Sequence, residues 1–110
     1  MASHPLDAMI AAPDHHQILF ENDRVRILDT RLAPGHRTPI HAHQWPAALY
    51  VLSWSDFVRR DEHGSVLADS RERPPPGIGA GLWIDPLPPH SVENIGSADL
   101  HIVAVEVKAL

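Results

Sequence analysis

The amino-acid sequence predicts an all-β protein, a barrel or sandwich of seven or eight short strands with almost no helix. Eleven prolines and six glycines divide the 110 residues into short pieces, and helical periodicity is nowhere sustained. Between these breaks lie short segments rich in aliphatic and β-branched residues, each ending at turn-forming residues. Several short strands at regular spacing are typical of sandwiches and barrels.

Each predicted strand is bounded by residues that favour turns. Residues 21–23 and 34–35 flank the first strand, Gly64 lies in the turn of a hairpin, and the Pro- and Gly-rich segment 71–81 forms a loop. Segment 47–53 has no polar face over its middle, which predicts a strand covered on both sides. The predicted strands are 25–32, 38–43, 47–53, 56–60, 65–68, 81–84, 88–94 and 100–107.

The composition excludes several classes of function. The formal net charge is −5 and the nine lysines and arginines are scattered, so we expect no nucleic-acid partner. No apolar run approaches the ~20 residues of a membrane-spanning helix, so we expect no membrane partner. The N-terminus lacks the basic region and apolar core of a secretory signal, which predicts a cytoplasmic protein. The absence of cysteine excludes disulfides, thiolate metal sites and cysteine nucleophiles.

Three histidines form the most informative pattern in the chain. His41 and His43 are separated by one residue, so on a strand both side chains point to the same face, with Cβ atoms roughly 6–7 Å apart. His90 lies in a second segment that runs from loop into strand. If the fold brings His90 beside the pair, three imidazoles can bind one metal at about 2.0–2.1 Å and leave coordination positions open.

The spacing of these residues resembles the first motif of the cupins, a family of double-stranded β-helix or jelly-roll barrels. That motif is Gly, five residues, His-x-His, three or four residues, Glu. Gly35, His41 and His43 fit it, whereas the Glu position falls on Ala47 or Ala48. The second motif is matched by Gly79, His90 and Asn94. The resemblance covers nearly the whole chain and implies an N-terminal arm over 1–21 and a cupin barrel over 22–110.

By this resemblance, the ligands of a divalent transition metal (zinc, iron, nickel or manganese) are His41, His43 and His90. Loss of the Glu is expected to weaken metal binding and to open one more coordination position. The resemblance implies an enzyme that acts on a small organic molecule, with dioxygenase-like or other metal-assisted chemistry. The alternative is a non-catalytic cupin that binds a small molecule without metal, the histidines then lining a polar pocket. Fold alone does not decide between the two functions.

Further side chains are candidates for the pocket around the metal. Ala47, Leu49 and Val51 share one face of their strand and form an apolar wall. The remaining candidates are Trp45, which follows the His pair closely, and His101, the best candidate for an additional ligand. Gln44 carries an amide near the vacant Glu position but points away from His43 on an ideal strand.

Other polar residues are expected to have ordinary roles. His15 and His16 are expected in a solvated N-terminal stretch, and Glu93 and Glu106 on a solvated face. Asn94 is expected to order the loop after His90 rather than to bind metal. Exposed strand edges and the apolar segment 18–20 predict a homodimer, which the resemblance to small cupins also implies.

Overall fold

The computed structural model describes residues 5–108, which form two antiparallel β-sheets with very little helix. The larger sheet has the strand order β1-β2-β9-β4-β7 and the smaller one has the order β3-β8-β5-β6. The strands are β1 (His16–Glu21), β2 (Val25–Leu32), β3 (His41–His43), β4 (Ala47–Ser53), β5 (Phe57–Asp61), β6 (Val66–Asp69), β7 (Gly81–Ile84), β8 (Leu87–Asn94) and β9 (Leu100–Val107). The helices are α1 (Ala8–Ala11) and the 3₁₀ turns Pro13–His15 and Ser70–Glu72.

The predicted fold class is confirmed. The chain passes repeatedly between the two sheets, and most neighbouring strands come from distant parts of the sequence, as in a jelly roll. Each of the eight predicted strands is present, and Gly64 has a φ of +88° in the hairpin between β5 and β6. Among the described residues, no helix has the length and apolar character that a membrane crossing would need.

The inner faces of the two sheets build a small core. In the larger sheet, Leu28, Leu32, Val51 and Leu100 are at most 6% exposed, and Val58 of the smaller sheet is equally buried. Because side chains alternate along a strand, the other residues of each strand face outward. The space between the sheets is only partly filled by this core and contains the cavity described below.

Strand β4 differs from its prediction because only one of its faces is buried. Ala47 and Val51 point inward and are buried, whereas Tyr50 is 51% exposed and Leu52 is 39% exposed. An antiparallel sheet of this kind has one face on the core and one face on the surface. The apolar run in the sequence therefore reflects an apolar outer surface rather than a second covering layer.

That outer surface carries an apolar row across the five strands of the larger sheet. Phe20 of β1 pairs with Ile27 of β2, which pairs with Val105 of β9. Val105 pairs in turn with Ala48 of β4, and Ala48 pairs with Trp83 of β7. The two ends of the row, Phe20 and Trp83, are 52% and 56% exposed. Residues paired directly across antiparallel strands lie on the same face, so the five side chains form one continuous surface.

The N-terminal segment, residues 5–21, is built into the sheets. β1 pairs with β2 from His16 to Glu21 and forms one edge of the larger sheet. The chain before it lies against the smaller sheet, where the Ala42 amide donates to the carbonyl of Leu6. The first residues of the described chain thus contact both sheets.

Candidate metal centre

The three histidines predicted from the sequence lie together on the smaller sheet. His41 of β3 is paired directly with His90 of β8, and their ring centroids are 4.5 Å apart. The His43 ring lies 5.0 Å from that of His41 and 5.5 Å from that of His90. Strand pairing thus joins two motifs that are far apart in the sequence.

A fourth histidine, His16, completes the cluster from the opposite sheet. Its ring lies 5.1 Å from that of His41 and 5.7 Å from that of His43, and it is only 5% exposed. One ring nitrogen each from His16, His41 and His43 lies within 4.8 Å of the other two, so these three residues could hold a metal ion. The expectation of a solvated His16 is therefore wrong. Pairing of β1 with β2 turns this side chain toward the facing sheet.

Backbone carbonyls fix the orientation of three of the four imidazoles. In each ring Nδ1 lies at hydrogen-bond distance from a carbonyl oxygen, which can only accept, so Nδ1 carries the hydrogen and Nε2 keeps its lone pair. Such contacts set the tautomer of metal-binding histidines. The pairs are His16 with Ala12 at 2.9 Å, His41 with Pro39 at 2.8 Å and His90 with Pro88 at 2.8 Å.

Burial keeps the same three imidazoles neutral. Desolvation lowers the pKa of His41 to about 3 and the pKa values of His16 and His90 to about 4, and the neighbouring imidazoles act in the same direction. The carbonyl contacts favour the charged form but do not outweigh burial. A metal needs the neutral ring as its ligand, so no proton has to be displaced from these three rings near neutral pH.

A buried carboxylate contacts the fourth ring. Glu106 of β9 is 1% exposed, and one of its oxygens lies 3.5 Å from Nδ1 of His43 while the other accepts from Nε of Arg26 at 2.6 Å. Arg26 also donates two hydrogen bonds to Asp7, at 2.8 and 2.9 Å. Burial acts to raise the pKa of Glu106, but the contacts with His43 and Arg26 lower it overall. The expectation that Glu106 lies on a solvated face is therefore wrong.

The histidine cluster opens onto a cavity of about 300 Å³ whose walls are mostly apolar. All four histidines and Glu106 line it, as do Trp45, Ala47 and Leu49 from the predicted pocket wall. Val51 shares the inward face of β4, but it is fully buried in the core and does not line the cavity.

Two other sequence candidates lie away from the cluster. His101 was expected in the pocket but lies on the outer face of β9, where Nε2 contacts Asp29 at 2.6 Å. This placement corrects the expectation, because inward and outward residues alternate along β9 and Glu106 takes the inward face. Gln44 is exposed and does not line the cavity.

Asn94 has the expected structural role: its amide donates to the carbonyls of Leu32 and Ala98.

Comparison with known proteins identifies the fold. No family model matches the sequence, and no curated protein matches it. A solved cupin domain from Bordetella pertussis superposes with a TM-score of 0.67 at 21% identity, covering 86% of this chain and 92% of that one. An RmlC-like cupin from Methanocaldococcus jannaschii gives 0.59 at 16% identity, covering 84% and 77%.

A third solved structure with the same fold has a named activity. The polyketide cyclase RemF from Streptomyces resistomycificus superposes with a TM-score of 0.56 at 20% identity, covering 90% of this chain and 68% of that one. At such identities the likeness establishes a shared fold and leaves function to the site itself.

Proposed function

We propose that this chain, which has the cupin fold, binds one divalent transition metal through His41, His43, His90 and His16 and acts on a small organic molecule in the adjoining cavity. The observation that carries the proposal is that three of the four imidazole rings are oriented in the same way. Three buried imidazoles are neutral and held through Nδ1 by backbone carbonyls, so Nε2 is the nitrogen available to a ligand.

The donor set indicates which metals fit. Imidazole nitrogen suits zinc, iron and nickel, whereas manganese is better served by carboxylate, and the single carboxylate of the site, Glu106, is already paired with Arg26. A bound divalent metal supplies Lewis-acid polarisation of a substrate oxygen or access to oxygen chemistry. The chain's own contribution is to orient the substrate against apolar walls and to restrict water through burial of the cluster.

The cavity supports a substrate with an apolar body. Its lining includes Trp45, Ala47, Leu49 and Leu82, with few polar groups outside the histidine cluster. Pockets that bind small organic molecules have this composition, apolar walls with a few placed polar groups. A polyketide cyclase with the same fold shows that such a scaffold serves an enzyme on an organic substrate.

One observation favours the second candidate, a binding protein without catalysis. Glu106 is the only carboxylate in the cavity lining, and its ion pair with Arg26 and its contact with His43 occupy both oxygens. No unengaged carboxylate base is therefore present among the residues that line the cavity. A metal-dependent reaction would have to proceed without a carboxylate base, whereas simple binding needs none.

We further propose that the protein is a homodimer formed through the outer face of the larger sheet. The row from Phe20 to Trp83 is apolar across five strands, and a second copy of the same row is a complementary partner in a two-fold arrangement. Contiguous exposed apolar surface on a small protein is typical of interaction sites.

Metal analysis of protein purified without added metal or chelator tests the proposed centre. We expect about one divalent transition metal per chain, and loss of most of it in His41→Ala and His90→Ala. His16→Ala is expected to retain a weaker three-imidazole site. Matched controls are His15→Ala, beside His16, and His63→Ala in the exposed hairpin turn. Full metal content in both His41→Ala and His90→Ala would refute the centre and favour the binding protein.

A further inference from the structure

Two buried hydrogen-bond donors beside the cavity have no acceptor. Nε1 of Trp54 and Nε of Arg59 are buried and make no hydrogen bond to any residue in the range 5–108. Both side chains line the cavity that the histidines share. Buried donors are almost always paired, because leaving one without an acceptor destabilises the fold. Two of them in one cavity point to an acceptor that the chain itself does not provide.

Arg59 is also a half-buried charge that has no counter-charge among residues 5–108. Arg26 is paired with two carboxylates and Arg60 with Glu93, whereas Arg59 has no ion pair within the described part of the chain. Burial lowers the pKa of Arg59, and no carboxylate opposes this effect. An arginine stays protonated in proteins, so its positive charge persists in the cavity wall.

Aromatic packing groups the side chains that carry the two donors around the ring of Phe57. The Arg59 guanidinium lies over the Phe57 ring at 5.6 Å, and the Trp54 ring packs edge-on against the same ring at 5.6 Å. A ring face partly compensates a cation, but it accepts no strong hydrogen bond. Arg59 is also close enough to the histidine cluster that its charge helps to lower the pKa of His90. The donors and the histidines therefore face one shared space.

The missing acceptor is best matched by a carboxylate. Guanidinium groups bind carboxylates through two parallel hydrogen bonds, and an indole N–H can donate to the same group. A phosphate would carry more charge, yet Arg59 is the only lysine or arginine among the residues that line the cavity. The apolar lining suits the rest of an organic acid rather than a strongly hydrated ion.

We propose that the substrate or ligand of this cavity is a small organic carboxylate, held at its carboxylate by Arg59 and Trp54, with its apolar body against the cavity walls. This inference rests on the proposed function in taking the same cavity as the working site. It adds the class of molecule, and it assigns Arg59 as the residue that selects acids over neutral analogues. Anchoring one end of the molecule would restrict how its remainder meets the histidine cluster.

Binding of matched acids and amides tests the proposal. We would titrate acetate, benzoate and phenylacetate, and the corresponding amides, into the metal-free and the zinc-loaded protein by calorimetry. At least one acid is expected to bind metal-free protein at least about tenfold more tightly than its amide, as one charge-assisted pair provides. Arg59→Met should remove that preference and Arg59→Lys should retain part of it, with the fold checked by circular dichroism.

A neighbouring arginine provides the control. Arg60→Met removes the same charge from the adjacent position on β5, but Arg60 pairs with Glu93 and does not line the cavity. It should leave acid binding unchanged. Equal or undetectable binding of acids and amides to wild type, or binding that Arg59→Met leaves unchanged, would overturn the proposal. If acids bound only to the zinc-loaded protein, and Arg59→Met did not weaken that binding, the acid would be a ligand of the metal. That result would overturn the role of Arg59 and support the metal centre. Arg59-dependent acid binding in a protein that takes up no metal would refute the metal centre alone.

Discussion

Ala47 of β4 is paired directly with Glu106 of β9. Ala47 is one of the two positions at which the first cupin motif has its glutamate, so the carboxylate that lines the cavity lies on the strand next to that position. Both residues are buried and both line the cavity. The chain therefore has a buried carboxylate beside its histidines even though the motif position holds alanine. That carboxylate comes from the last strand, and Arg26 holds it in place.

Ala47→Glu is expected to tighten metal binding and to destabilise the metal-free protein. The new side chain points into the cavity and adds an anionic ligand group, but it overfills a buried position and faces Glu106, a cost of about 1–3 kcal/mol without metal. Unfolding with and without zinc measures both effects. Gln44→Glu, which adds a carboxylate at an exposed position outside the cavity, is the control. Equal zinc affinity of Ala47→Glu and wild type would mean that residue 47 is outside the reach of the metal.

Arg26→Met is expected to lower the free energy of unfolding by about 3–5 kcal/mol, because it leaves Asp7 and Glu106 buried without their shared counter-charge. The partly exposed pair of Arg60 and Glu93 offers the comparison, and Arg60→Met should cost about 0–1 kcal/mol. Urea unfolding of the metal-free proteins measures both. A similar cost for the two variants would show that the buried network contributes no more than a surface ion pair.

The metal-free protein is expected to lose stability as the pH falls below about 6.5, the ordinary pKa of histidine. The folded-state pKa values of His16, His41 and His90 are lowered to between about 3 and 4, so the unfolded chain binds more protons over this range. Stability is then full above pH 6.5 and declines toward pH 4, by about 1.4 kcal/mol per pH unit for each histidine.

Denaturant midpoints between pH 7 and pH 4.5 check this pH dependence. His41→Ala should flatten the slope, whereas a change at exposed His63 should leave it unaltered. A wild-type midpoint that is constant over the range would contradict the neutral, buried cluster.

The proposed dimer predicts a scattering mass of twice the 12.2 kDa chain at micromolar concentration. Phe20→Ser should shift the mass toward the monomer, because it removes an exposed end of the apolar row without opening the core. Leu67→Ser changes an equally apolar, 49% exposed residue on the smaller sheet and should leave the mass unchanged. A monomeric wild type would exclude this interface.

The local pattern of the sequence was sufficient for eight of the nine strands in the described chain and for three of the four clustered histidines. Strands β2, β4 and β9 have the predicted bounds, because alternation and flanking turn residues are local properties. The His-x-His spacing places His41 and His43 on one face without any knowledge of the fold. β1 was missed because it lies directly after short helical turns, in a segment interpreted as an arm, although the apolar run at 18–20 is a strand signal.

Which face of each strand points inward was decided by the tertiary structure alone. On β9 both faces are apolar over most of their length, so the sequence did not distinguish an inward Glu106 from an inward His101. Strand pairing resolved this, because Glu106 lies opposite the inward residues Arg26 and Ala47. A shift of one residue in register would exchange the two faces.

The sequence by itself determined an all-β chain with a histidine pair on one face of a short strand and a third histidine at motif spacing. Only the tertiary structure brought in His16, Glu106 and the unpaired Arg59, from three other strands. The physical reason is that side-chain direction follows from local alternation, whereas the contents of a cavity depend on pairings between strands far apart in the chain. Glu106 and Arg26, which share the buried network, are separated by 80 positions in the sequence.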